Sequence, residues 1–403
     1  MPRCRTVALV ALLTGAVALI AGCTQDPEPT ASDERADRLT RPGMHAVDPP
    51  PLSERHDEVR VAAGDRLLIW GGQSAESSMT GTTFGDGAVL DVTTGRWSEV
   101  SESPFPHGLF SATGVFDGEE FVIVGTECDE RIPAPTTGEL PECTGPAAAA
   151  WDASDDSWRR LPPPPLSSDR FGVPRLSPGS QAVGGDGRAV FVDRLDGAAI
   201  TWDRDGERWG TVEPPAGAWS WPCADPTQPW VVAALDDLAD PLAGAAFSVL
   251  RPGDTSWSAP VRSEAHMGSI ASCAGGLVLV SRWDGRLSSG ATIDPLTGSY
   301  RSAFDSDPDV VGQAAGIGVW SFVQLDPPPG WSDRSVTGGS DDQPSLVVQL
   351  LPDGPTEPAG TRSNIYTLTG PSATYVGKGV VICEMAHTDE CRLWVPPAGA
   401  KPD

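Results

Sequence analysis

The chain has 403 residues, with 28 Lys and Arg against 55 Asp and Glu, a formal charge of −27. A surface this negative repels nucleic acid and anionic lipid headgroups, which sets both aside as direct partners. With 45 Gly and 40 Pro, the composition is that of many short segments joined by turns.

Residues 1–22 read as an export signal. Arg3 and Arg5 precede an apolar run from Val7 to Ile20, which is short for a bilayer span and ends in small residues. The four residues Ile20, Ala21, Gly22 and Cys23 resemble the bacterial lipoprotein cleavage box. That resemblance implies cleavage before Cys23, lipidation of Cys23, and attachment to the outer surface of the cell membrane through acyl chains alone. Residues 23–43 are polar, charged and Pro-containing, the composition of a disordered tether. Residues 44–397 carry globular composition, and 398–403 form a tail.

Within the globular region a single pattern recurs at intervals of about fifty residues, the period of propeller blades. It reads LDVTTGRW from Leu90 to Trp97, WDASDDSW from Trp151 to Trp158 and WDRDGERW from Trp202 to Trp209. LRPGDTSW from Leu250 to Trp257 and IDPLTGSY from Ile293 to Tyr300 follow. A large apolar residue stands ahead of an aromatic at a fixed distance, with turn formers between and, in all but the fourth copy, Asp directly after the apolar residue. Apolar runs such as RLLIW and EEFVIVG lie upstream, so each copy is the outer hairpin of a four-stranded antiparallel unit. The expected fold is all-β: a β-propeller of seven blades, or six if the degenerate unit after Ala314 drops out. The last unit, ending in CRLWVPP, is one strand short. MHAVDPPPLSER (Met44 to Arg55) parallels SWRRLPPPPLSSDR at the end of the second unit, so Met44 to Asp48 is expected beside Cys391 to Val395, closing the ring from the N-terminal side.

Gly71 and Gly72 after RLLIW, the spaced Trp97, Trp158 and Trp209, and the LPPPPLSSDR joint resemble the kelch repeat of galactose-oxidase-like propellers. The likeness spans most of Met44 to Pro397, although the paired glycines degrade in the second and third units. It implies a kelch-like architecture with the joints between blades and the second-to-third loops on one face. The copper chemistry of galactose oxidase is not implied, because three Tyr and five His leave no set of free Tyr and His ligands. No cofactor and no metal site are expected: Asp305, Asp307 and Asp309 make a poor calcium loop, with Pro308 among them and no Gly–Glu pattern after it.

Eight Cys are present. Cys4 leaves with the signal and Cys23 takes lipid; the other six form an even set in an oxidising compartment, which predicts disulfides Cys128–Cys143, Cys223–Cys273 and Cys383–Cys391. No GxSxG context accompanies the histidines, so Ser or Cys nucleophilic catalysis has no support. The inter-blade joints do carry cations in an acidic protein. Arg55, His107, Arg170, Arg262 and Arg362, with His266, are expected around one mouth of the central channel as a site for an anionic ligand. Arg at these joints also serves to tie loops together, the competing role. The expected function is that of an exported, lipid-anchored monomer binding protein or glycan, not an enzyme; a sugar mutarotase or a scaffold subunit of an envelope complex are the alternatives.

Overall fold

The computed structural model describes residues 39–41, 43–74, 83–128, 143–166, 176, 180–193, 197–215, 219–224, 228–235, 246–263, 269–274, 277–283 and 287–305, with short strand segments from 314 to 395. The export signal, the lipid site and most of the tether lie outside them, as do Arg170, His266, Arg362 and the DSDPD aspartates beyond Asp305. Among the described residues no helix is long and apolar enough to cross a membrane.

These residues form strands in seven four-stranded antiparallel sheets, with one two-stranded ribbon. The first sheet contains Val59–Ala63, Arg66–Trp70, Gly87–Asp91 and Arg96–Glu99, and the second Phe110–Phe116, Phe121–Cys128, Cys143–Asp152 and Ser157–Arg160. The third runs from Gln181–Gly185 to Arg208–Val212, the fourth from Trp219–Ala224 to Val261–Arg262, and the fifth from Ser269–Ala274 to Tyr300–Asp305. In the sixth, the degenerate unit keeps a short fourth strand, Glu357–Pro358. The seventh combines Ala373–Val376, Gly379–Cys383 and Cys391–Val395 with Gly43–Val47 from the other end of the chain, Gly43 opposite Val395 and Val47 opposite Cys391. The innermost strands of the first to sixth sheets pack in succession, and that of the seventh packs on that of the first. This is the arrangement of a β-propeller.

The core lies between sheets, and the apolar runs follow from that. In Arg66–Trp70, Leu67 and Ile69 pack with Val381 and Leu393 of the seventh sheet, while Leu68 and Trp70 pack with Phe121, Ile123 and Trp151 of the second. Val122 and Val124, on the other side of the second sheet, meet Ala189 and Phe191 of the third. A second strand therefore has no solvent face, so both sides of its period-two pattern are apolar.

The repeated hairpin has a local explanation. The Asp91 carboxylate accepts the backbone N–H of Thr93 and Thr94, and that of Asp294 accepts Leu296 and Thr297. At Asp152, the N–H of Ser154 donates to the carboxylate and holds its pKa below the ordinary value. Side-chain capping of the turn is what places Asp directly after the apolar residue. In the fourth copy Asp254 does the same work from further on, accepting the N–H of Arg251. The residue two before the aromatic is left-handed in four copies: Gly95, Asp156, Glu207 and Gly298.

The aromatic itself stitches sheets together. The indole N–H of Trp97 donates to the carbonyl of Asp48, that of Trp158 to Ser101 and that of Trp209 to Pro162. Ser101 and Pro162 each follow the outermost strand of the preceding sheet, and Asp48 likewise follows Gly43–Val47. The N-terminal strand thus stands to the first sheet as the first sheet stands to the second. Leu39, assigned from composition to the tether, is 3% exposed and packs in the cluster with Val47, Leu90 and Val92, so folded chain begins before Gly43.

One position in the repeat is poorly filled. Trp151 donates from Nε1 to Asp156 Oδ1 at 2.9 Å, but at the matching place Trp202 Nε1 is buried without a partner and Glu207 points outward. Replacing Glu207 with Asp supplies the acceptor, suits the left-handed backbone better and forfeits only an exposed pair with Arg159. Glu207→Asp is expected to raise stability by about 1 kcal/mol in urea unfolding; an unchanged or lower midpoint contradicts the assignment.

Candidate functional site

Two faces are defined by contacts. On one, the amide of Val92 in the third-to-fourth turn of the first sheet donates to Asp65 in the first-to-second turn, and Arg204 donates to Gly187 in the same way in the third. This is the turn face. On the other, the joint leading into the first sheet forms a ribbon with the second-to-third connection: Arg55 pairs with Ser74 and His56 with Gln73. This is the loop face, and the three longest second-to-third connections, in the first, second and sixth sheets, lie on it. Cys128 leads to Cys143 and Gln324 to Val347, whereas on the turn face Gly64 and Asp65 alone join Ala63 to Arg66.

The long connections are braced at their stems. Cys128 and Cys143 lie opposite each other in the second sheet and are disulfide-bonded, as are Cys383 and Cys391 in the seventh, with Cα separations of 3.9 and 4.2 Å. The third disulfide, Cys223–Cys273, joins the innermost strands of the fourth and fifth sheets at a Cα separation of 5.8 Å. All three expected pairs are within bonding reach.

At the first sheet the brace is Arg55. Its side chain is fully buried, and all five N–H groups have acceptors. Nε donates to the Ser53 carbonyl at 2.9 Å, Nη1 to the Gly71 carbonyl and Asp86 Oδ1 at 3.0 and 2.8 Å, and Nη2 to Ser53 Oγ and Asp86 Oδ2 at 3.0 and 3.2 Å. The guanidinium also lies over the Phe84 ring at 4.4 Å. Arg55 therefore ties the joint to both ends of the loop and has no donor left for a ligand, which corrects its expected role. Gly85 and Gly108 complete the fit, since a Cβ on either would overlap a carbonyl oxygen, that of Phe105 or Phe84 respectively.

The other expected site residues divide. His107 is exposed on the loop face, beside the Gly108–Phe84 contact. Arg262 is exposed at the end of the outermost strand of the fourth sheet, and its carbonyl abuts Gly298 in a turn of the fifth. That is the outer rim, so Arg262 is removed from the mouth: the outermost strand ends at the rim before the joint turns inward.

Sequence reading missed a charged pair at the loop-face end of the innermost first strand. Glu58 and Arg60 form an ion pair with side chains 7% and 12% exposed, and Arg60 Nη2 donates to the Cys383 carbonyl of the seventh sheet at 2.8 Å. Gly72 leaves room for Glu58, whose Cβ would stand 3.0 Å from a side chain there. The period-two spacing of Glu and Arg around Val59 was the available signal, since it puts both on one side of the strand. Across the turn face, Arg159 bridges Glu120 and Glu207, and Arg204 bridges Asp117 and Glu119, tying the second sheet to the third. The Glu120 carboxylate holds the Arg159 pKa above its ordinary value. Among the described residues no group of three or more His, Cys, Asp or Glu side chains is placed to hold a metal ion.

The sheets and their packing define a β-propeller with one elaborated face. No protein-family model and no curated protein matches the chain. Among solved structures it is similar to YCF48 bound to D1 peptide, at 14% identity over 88% of this chain and 97% of that one, with a TM-score of 0.47. It is also similar to YjhT, at 10% identity over 77% of this chain and 99% of that one, with a TM-score of 0.43. Likeness at this distance carries no argument about function.

Proposed function

We propose that the chain is an exported, lipid-anchored monomer: a seven-bladed, kelch-like propeller closed by Gly43–Val47, whose loop face binds a protein or glycan. The observation that carries the binding reading is the contrast between the faces. Capped turns, short in the first three sheets, lie on one side; on the other, the long connections of the first and second sheets and the connection of the seventh are held at their stems by Arg55 and by two cross-strand disulfides. Variable loops on rigid stems are the usual construction of a recognition surface. Disulfides in three places support an oxidising, extracytoplasmic setting. A scaffold role has less support, because Leu296 is the one exposed large hydrophobic among the described residues.

In this reading His107, with Arg170 and Arg362 from the joints, contributes the cationic component of a site for an anionic group. The test is binding of the mature domain to peptide and glycan arrays, repeated with Arg170→Ala and with residues 129–142 replaced by Asn-Gly. Arg170→Ala should weaken capture by roughly 1–3 kcal/mol with an unchanged melting temperature. Equal binding by both variants and the parent contradicts the reading. A second reading, a carbohydrate-active enzyme such as a sugar mutarotase, is favoured by the buried Glu58–Arg60 pair alone. Anomer interconversion measured by NMR, lost in Glu58→Gln, would select it.

A further inference from the structure

The direction of the N-terminal strand has a consequence for how the anchored protein is presented. Antiparallel pairing sets Gly43 opposite Val395 and Val47 opposite Cys391. Cys391 is the loop-face end of its strand, since the disulfide with Cys383 closes the second-to-third connection there. Val395 is therefore at the turn-face end, and so is Gly43. The chain preceding Gly43 enters where the other sheets have their third-to-fourth turns. Leu39 marks the same side independently: it packs in a cluster that includes Val92, within the third-to-fourth turn of the first sheet.

We propose that the anchor holds the propeller with its turn face toward the bilayer and its loop face directed away, so that the ligand is a soluble or wall-borne macromolecule reached from outside and not a component of the same membrane. This rests on the lipid-anchor reading above. One further feature supports it, and another sets the distance from the bilayer. From Cys23 to the docked Leu39 the chain can reach at most roughly 50–60 Å, comparable to a domain's width. A connection of that reach restrains which face lies near its attachment. The turn face also carries Asp91, Asp152, Asp186, Asp203 and Asp294, none of them buried, and carboxylates at that density oppose flat adsorption to an anionic leaflet. The domain is held at a stand-off, oriented by where its tether leaves.

The experiment uses the mature chain with a maleimide lipid coupled at Cys23, the other cysteines being in disulfides, on phosphatidylcholine and phosphatidylglycerol vesicles containing a membrane-bound energy-transfer acceptor. A donor dye is placed through a non-natural side chain at Thr93 or Asp205 on the turn face, or at His107 on the loop face. Transfer is expected to be at least twofold more efficient from Thr93 and Asp205 than from His107, and absent without the lipid. Equal transfer, or stronger transfer from His107, overturns the orientation. Labelled palmitate incorporation in cells, compared between the parent and Cys23→Ala, tests the anchor reading separately. No difference there would overturn the anchor, and with it the orientation in the cell, whatever the vesicle result.

Discussion

Removing residues 1–47 is expected to abolish the cooperative melt of the domain, whereas removing residues 1–38 leaves its midpoint unchanged. The first cut deletes Gly43–Val47 and the whole ladder it makes with Cys391–Val395. It also removes Leu39 and Val47 from a buried cluster shared by the seventh and first sheets. Two buried aliphatic side chains are worth about 3–6 kcal/mol together. The strand ladder comes in addition, and Asp48, whose carbonyl receives the Trp97 indole, loses the strand that positions it. The total rivals the roughly 5–15 kcal/mol that holds a domain folded. The deletion further leaves Cys391–Val395 as an open edge, which invites association between chains. The second cut touches none of these groups. Matching thermal transitions for the two truncations would show that the N-terminal strand closes nothing.

Arg55→Ala carries the next largest effect, a loss of roughly 3–5 kcal/mol. Five donated hydrogen bonds and the stacking on Phe84 disappear together, leaving the carbonyls of Ser53 and Gly71 without their donor. Asp86 is 56% exposed and regains water, which places the expectation at the lower end of that range. Arg55→Lys recovers little, because one ammonium cannot reach both sides of the joint in the geometry of a planar fork. Urea unfolding checks both variants. A stability within about 0.5 kcal/mol of the parent, the scatter of neutral surface changes, would return Arg55 to the ligand-binding set.

The architecture was legible because each unit must solve the same local problem. A turn of fixed length needs an Asp to cap it, a left-handed residue near its end and an aromatic to reach the preceding joint, so Asp91, Gly95 and Trp97 reappear at the same spacing in later copies. The pairing of Cys223 with Cys273 could be read from matched places in neighbouring repeats, and the parallel between MHAVDPPP and SWRRLPPPP foretold which strand Gly43–Val47 would join. The site was less legible. A sequence marks which residues lie in joints, but the joint runs from the outer rim to the axis, and position along that path decides the role. Arg262 stops at the rim; Arg55 turns inward and is consumed by the stem of a loop. Phe84 and Asp86, which receive it, lie in a stretch without period, where no pattern announces them.

The central claim, that ligand is taken on the loop face, is tested most directly by amide hydrogen exchange with and without a captured peptide or glycan. Protection is expected over residues 53–58, 71–74, 83–86 and 105–111, with no change at the turns around Thr93, Ser154 and Asp205. Protection confined to those turns, with the loop-face segments exchanging as in the free protein, would contradict it.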